Sequence, residues 1–189
     1  QFTEQVWRLP DTRMCFSPPG PPDSPDAGPL PALERGHVTF GCFQNLSKVR
    51  DQTLRAWRRV MEALPGARLR LQNKQSGPSL RAGTLARLQD GGIDVARVDL
   101  SPPAERAKYL ASYAQVDLLL DTFPFSGGTT TCEALWMGVP TVTLAGRSMV
   151  GNQGKALMSC AGLAEWVADS EDDYVRQAIE RARNLDDLS

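Results

Sequence analysis

The chain has 189 residues, 41% of them hydrophobic and 23% charged, with a formal net charge of -1 at pH 7. A length of this order favours one domain with a sizeable core, and so even a charge gives no footprint for nucleic acid or an anionic membrane as partner. No run of ~20 apolar residues is present to cross a bilayer. The four cysteines, Cys15, Cys42, Cys132 and Cys160, lie far apart with no C-x-x-C pair and with His37 as the single histidine. That spacing argues against zinc, so no metal is expected. Free, mostly buried thiols in a reducing compartment are expected instead, which makes the expected location cytoplasmic. The N-terminus shows no basic segment leading into an apolar stretch, hence no visible secretion signal. A start at Gln1 is expected for a processed or excised segment.

Residues 1–36 read as a Pro-rich extended connector. Eight of the fourteen prolines fall between Pro10 and Pro31, which removes backbone donors and favours polyproline geometry, so this segment is not expected to be core. A linker between domains fits it better than a proline-rich ligand for a recognition domain. The apolar residues of Val6-Trp7-Arg8-Leu9-Pro10 are expected to pack on a neighbouring part of the protein.

Regular alternation begins at His37, and residues 37–189 read as one domain. Strands are predicted over 38–43, 67–72, 95–100, 116–120, 139–144 and 165–168. Helices are predicted over 51–64, 79–88, 104–114, 153–160 and 172–184, with a further one carrying Ala134, Leu135 and Trp136. The 51–64 segment is amphipathic, with Leu54, Trp57, Val60, Met61 and Leu64 at helical spacing. The run 116–120 has no polar alternation, as suits a strand buried on both faces of a parallel sheet. Strands and helices of these lengths in alternation predict an α/β fold with a doubly wound parallel sheet.

The stretch 117–144 carries most of the functional signal. After the apolar run the chain breaks at Pro124. Ser126, Gly127 and Gly128 form a small-residue loop, Thr129 to Thr131 offer N-cap hydroxyls, and Gly138 with Pro140 stops the helix. The first N–H groups of a helix lack internal partners and carry partial positive charge, so a glycine loop that admits a ligand makes a phosphate cradle. Glu133, one turn in, is placed to accept from ribose hydroxyls. Two readings remain open at this level: a phosphate site, or a tight turn followed by a carboxylate that favours the first helical turn. Ligands of doubly wound sheets bind at the carboxyl ends of the strands, where the loops 43–48, 72–77, 101–109 and 123–133 collect. The G-x-G-x-x-G and G-x-x-x-x-G-K-[ST] fingerprints are absent, which argues against hydride transfer and ATP hydrolysis.

Several motifs in order then resemble one family. Val38-Thr39-Phe40-Gly41-Cys42-Phe43 with Asn45-Leu46 and Lys48 comes first. Asp121-Thr122-Phe123-Pro124 through Gly127, Thr129-Thr130, Leu135-Trp136, Gly138-Val139-Pro140 and Val142-Thr143 follow. Together they resemble the C-terminal catalytic half of the O-linked N-acetylglucosamine transferases, the bacterial SPINDLY-like, tetratricopeptide-linked members in particular. The resemblance covers nearly the whole chain, Arg8-Leu9-Pro10 and Pro29-Leu30-Pro31-Ala32-Leu33 included.

The resemblance implies the Rossmann-like, nucleotide-sugar-binding half of a GT-B glycosyltransferase. A UDP-sugar would be the donor and Ser/Thr of a protein or peptide the acceptor, with no metal or other cofactor. The opposing N-terminal Rossmann domain, the catalytic base and tetratricopeptide repeats would lie outside this chain. Carried over by position, Lys48 would act catalytically on the diphosphate with Asn45 beside it. Ala104, through its backbone, and Arg106 would meet the uracil, and Tyr109 would stack near it, where the family often has histidine. Gly128, Thr129 and Thr130 would cradle the phosphates, although some members have histidine at the position of Gly128. Glu133, one methylene longer than the usual acid, would hold the ribose. Ser148-Met149-Val150-Gly151-Asn152-Gln153 departs from the small-residue and arginine run of many members, which leaves the contact of that loop open. Two other readings stand beside this one. One is a non-catalytic nucleotide-sugar-binding module; the other is a UDP-sugar epimerase-like GT-B protein, whose acid and base residues are not found here. Helical repeats of 34 residues upstream would favour the transferase.

Overall fold

The computed structural model describes residues 3–5, 7, 9–20, 26–73 and 78–188. Its strands are β1 Thr39–Cys42, β2 Arg68–Gln72, β3 Val98–Ser101, β4 Leu118–Leu120, β5 Thr141–Leu144 and β6 Val167–Ala168. All neighbouring pairs are parallel, in the order β3-β2-β1-β4-β5-β6. The chain therefore winds outward from β1 through β2 to β3, then returns to start again at β4 on the other side. Connections leave β1 and β4 in opposite directions, which opens a crevice at their carboxyl ends.

The helices are α1 Pro31–Arg35, α2 Asp51–Ala63, α3 Pro78–Asp90, α4 Arg106–Ala111, α5 Thr129–Trp136, α6 Gln153–Cys160 and α7 Glu171–Arg183. Side-chain alternation along the strands divides the core in two. Phe40 and Cys42 of β1 with Leu118 and Leu120 of β4 join Trp57, Val60 and Met61 of α2 and Tyr174 and Ala178 of α7. Leu119, facing the other way, joins Phe43, Tyr109, Tyr113, Ala134 and Met137. The uninterrupted apolar run of β4 thus serves two hydrophobic layers, each fully buried large side chain contributing about 1.5–3 kcal/mol. Gly41 permits the close approach, because a Cβ there would stand 2.6 Å from Leu119 Cδ2.

Some predicted boundaries give way to local hydrogen bonding. Residues 95–97 form a 3₁₀ turn rather than the start of a strand, since the Asp94 carboxylate accepts from Ala96 N–H at 3.0 Å and draws the backbone into a turn. Another such turn, Ala164–Trp166, precedes β6. The helix predicted to 114 ends at Ala111 and tightens into a 3₁₀ segment, Ser112–Gln115. Thr129 to Thr131 do not cap α5 with their hydroxyls: the N-cap is Gly128, and no side chain bonds there.

The segment expected to be extended through residue 36 ends as α1. Pro31 and Ala32 are buried, and Ala32 N–H donates at 2.7 Å to Asp117, whose other oxygen accepts from Thr39 N–H at 2.7 Å. The carboxylate staples the end of the connector to β1. Of the apolar entry, Trp7 and Leu9 are exposed, and Val6 and Arg8 lie outside the described residues, as does loop 74–77. The thiols are also less buried than expected: Cys42 and Cys132 are buried, Cys15 and Cys160 exposed.

Candidate functional site

A cleft of about 250 Å³ opens at the carboxyl ends of β1 and β4. Phe43 and Asn45 come from the end of β1 and Asn73 from the end of β2. Arg106 and Tyr109 come from α4, and Thr129, Thr130 and Glu133 from α5. Four separate chain segments are brought together by strand order alone.

Asp121 organises the loop between β4 and α5. It is 1% exposed, and its carboxylate accepts from Thr143 Oγ1 at 2.6 Å, Gly127 N–H at 2.7 Å, Thr122 N–H at 2.8 Å and Gln44 Nε2. Burial pushes its carboxyl above the usual range while the four donors pull the other way. Gly127 has no room for a side chain, because a Cβ would stand 2.3 Å from Thr131 Oγ1 and 2.6 Å from Gln44 Nε2. The 148–153 loop supports the same turn from behind. Val150 C=O accepts from Ser126 Oγ at 2.8 Å, and that Oγ accepts from Gly154 N–H at 3.0 Å. Gln153 Nε2 donates to Gly127 C=O at 2.8 Å.

Beyond this turn, Thr131 and Cys132 N–H bond to Gly128 C=O at 2.9 and 3.0 Å. The preceding N–H groups of Thr129 and Thr130 belong to the first turn of α5, where no internal acceptor exists, and both residues line the cleft. That end of the helix attracts anions. On the next turn Glu133 is 4% exposed. Its Oε1 pairs with Arg106, and its Oε2 lies 3.4 Å from the Tyr113 hydroxyl. The residue expected at the ribose and the residue expected at the base therefore hold each other. Tyr113 stacks on Phe43 with centroids 4.1 Å apart, and Tyr109 meets both rings edge-on. Burial, with Glu133 nearby, pushes the Tyr109 phenol up, so it stays neutral.

Other sequence-derived candidates lie around this cleft. Asn45 accepts from Ser47 N–H at 3.0 Å and so shapes the turn that carries Lys48. Lys48 is not among the residues lining the cleft. Its Nζ donates to Ser126 C=O at 3.2 Å and lies 4.0 Å over the Phe125 ring. Burial lowers its pKa below the usual lysine value, opposed by Asp121. Ala104 packs, partly buried, against the aromatic layer, and Gly128 sits at the mouth of α5. His37 is at the amino end of β1, on the opposite edge of the sheet. Asp121, Gln44, Asn73 and Gln153 were not among the site residues expected from sequence, although Asp121 and Gln153 fall in stretches noted there. A carboxylate directly after a buried apolar strand was a signal for Asp121, whereas nothing local marks Gln153. Among the described residues no group of three His, Cys, Asp or Glu side chains is placed to hold a metal, and no helix is long and apolar enough to cross a membrane.

Residues 31–189 match the model of glycosyl transferase family 41. The chain belongs to glycosyl transferase family 41. Within the family it is similar to proteins named "Probable UDP-N-acetylglucosamine--peptide N-acetylglucosaminyltransferase SPINDLY". The Petunia hybrida protein is 42% identical over 194 residues, covering 100% of this chain and 20% of the relative. The Arabidopsis thaliana protein is 41% identical over 191 residues, covering 98% and 20%. A solved structure of a Thermobaculum terrenum O-GlcNAc transferase mutant superposes with a TM-score of 0.82 at 39% identity, over 89% of this chain and 32% of that one. The chain spans about one fifth of the length of the curated relatives it matches. In family 41 it corresponds to the C-terminal catalytic part, and its fold is the Rossmann-like half of a GT-B transferase.

Proposed function

We propose that this domain binds the donor, a UDP-sugar, of a protein O-GlcNAc transferase-like glycosyltransferase. The whole protein would transfer the sugar to Ser or Thr of a protein acceptor. The observation that carries this reading is the convergence, in one cleft at the β1/β4 switch point, of the α5 N-terminus at Thr129 and Thr130 with the Glu133–Arg106 pair and an aromatic wall. The diphosphate would sit at Gly128, Thr129 and Thr130, the ribose near Glu133, and the base near Arg106, Tyr109 and the backbone of Ala104. Departure of the nucleoside diphosphate leaves negative charge on the β-phosphate. The helix N-terminus, and Lys48 turned from Ser126 toward the phosphate, would stabilise that charge without a metal. The relatives' name, with UDP-N-acetylglucosamine as donor and peptide as acceptor, supports the choice.

This half supplies donor binding only. The acceptor groove and base would come from an opposing domain, with tetratricopeptide repeats beyond it, because catalysis by positioning requires both reactants to be held together. Calorimetry of the 189-residue chain with millimolar UDP tests the reading, with saturable heat and a thermal shift expected. Binding of GDP with no response to UDP would move the donor to a guanine nucleotide sugar. Silence toward both would remove the site. The chain alone is expected to transfer no sugar from UDP-N-acetylglucosamine to a serine peptide, and turnover would show that the catalytic apparatus has been misplaced.

A further inference from the structure

The carboxamide of Gln153, at the start of α6, joins two parts of the chain that sequence treats as unrelated. It is 7% exposed. Its Nε2 donates to Gly127 C=O at 2.8 Å, and its Oε1 accepts from Nη2 of Arg13, in the proline-rich N-terminal segment. Met14, next in that segment, lies 3.4 Å from where a Gly128 Cβ would be, and Gln153 Nε2 only 2.2 Å from it. An arginine can only donate, so its contact fixes which end of the amide is the oxygen and turns the NH₂ end toward Gly127 C=O. Flipping the amide would set oxygen against oxygen on one side and N–H against N–H on the other.

Asp121 holds the N–H of Gly127 and Gln153 holds its C=O, so both polar groups of that residue are engaged. In a trans peptide the next N–H points opposite to the carbonyl. Holding Gly127 C=O on the α6 side therefore fixes the direction of Gly128 N–H, just before the two free helical donors at Thr129 and Thr130.

We propose that Gln153 is a positioning residue for the phosphate-binding loop and that Arg13 locks its orientation. Docking of the N-terminal segment and binding of a nucleoside diphosphate would then strengthen each other, by the reciprocity of coupled equilibria. The inference rests on the donor-site reading above and adds to it a regulatory contact from the connector.

The test compares UDP and uridine affinities of the 189-residue chain with those of Gln153→Met, Gln153→Glu, Arg13→Ala and Arg13→Lys. Amide hydrogen exchange over 127–130 is measured on each protein without ligand. Both Gln153 variants are expected to bind UDP about tenfold more weakly, equivalent to about 1.4 kcal/mol. The uncharged Met variant shows that the loss is not mere repulsion by the carboxylate. Arg13→Ala should lose about threefold and Arg13→Lys, which keeps a donor, should recover most of it. Uridine, which has no phosphate, should bind all variants alike, and exchange over 127–130 should quicken in Gln153→Met and Arg13→Ala.

Unchanged UDP affinity in Gln153→Met and Arg13→Ala would overturn the proposal, as would equal losses for UDP and uridine. Arg13 is exposed, so its variants remain informative if those of Gln153 fail to fold. If the parent binds no nucleoside diphosphate, the donor reading falls by itself. The exchange data then still decide the positioning role, with unchanged exchange in both variants rejecting it.

Discussion

The backbone N–H of Gly127 donates a 2.7 Å hydrogen bond to the carboxylate of Asp121, a buried acid six residues upstream. Three other donors, from Thr122, Thr143 and Gln44, meet the same carboxylate. It is an acceptor-only hub: three N–H groups meet Oδ1 and the Thr143 hydroxyl meets Oδ2, so an amide in its place loses the charge that strengthens all four bonds and fits only if Thr143 reverses its hydroxyl. Asp121→Asn is expected to cost about 2 kcal/mol of stability and to weaken UDP as the loop loosens. Gly127→Ala should cost about 1–3 kcal/mol by overpacking against Thr131 and Gln44. Urea denaturation read beside calorimetry checks both, and a fully stable Asp121→Asn protein would contradict the hub.

Lys48 should give nucleotide binding an alkaline limit. Burial lowers its pKa from the usual 10.5, with Asp121 acting against the shift. A diphosphate binds the protonated amine, so as pH rises through the lowered value the free protein sheds the proton that the complex requires, and affinity falls. Lys48→Arg stays charged and should hold its affinity over that range. The nucleotide base titrates equally in both experiments, so the difference between the two proteins isolates Lys48. Parallel pH profiles would remove Lys48 from the diphosphate site.

The Glu133–Arg106 pair separates ribose recognition from simple structure. Glu133→Ala is expected to weaken UDP and uridine alike, while 2′,3′-dideoxyuridine diphosphate binds mutant and parent almost equally. Arg106→Met should instead lower stability by about 1–2 kcal/mol, because it leaves a buried carboxylate without its cation, though the arginine is partly solvated. Restoration of that stability in the Arg106→Met, Glu133→Gln double variant would show that the stranded charge was the cause. Equal loss for ribose and dideoxyribose ligands in Glu133→Ala would rule out the ribose contact.

Tyr174 ties the last helix to the site. Its hydroxyl donates to Asp121 C=O at 2.8 Å and accepts from Trp57 Nε1 at 3.2 Å, with the ring fully buried. Tyr174→Phe keeps the shape and leaves a buried N–H and a buried carbonyl unpaired, at a cost of about 1–3 kcal/mol. A lower thermal midpoint with unchanged circular dichroism is the expected result, and an unshifted midpoint would argue that water satisfies both groups.

Much of the fold was legible because burial imposes a period on sequence. The unbroken run ending at Leu120 announced a strand covered on both faces, and Leu54, Trp57, Val60 and Met61 announced the buried stripe of α2. Gly127 followed by threonines marked the entry to a helix whose first amide groups face a cleft. Where a side chain competes with the regular backbone pattern, periodicity says less: Asp94 turned the expected start of β3 into a 3₁₀ turn, and the threonines thought to cap α5 do not.

Sequence by itself determined the order of strands and helices and most of the buried stripe, since those depend on neighbours within a few positions. Tertiary structure alone decided that Arg106 closes on Glu133, that Lys48 turns to Ser126, and that Gln153 holds Gly127 from one side while Asp121 holds it from the other. Lys48 meets Ser126 because β1 lies beside β4, and Gln153 reaches Gly127 because β5 lies on the other side of β4. Local periodicity specifies the face a residue presents, but strand order specifies which distant residue it meets there.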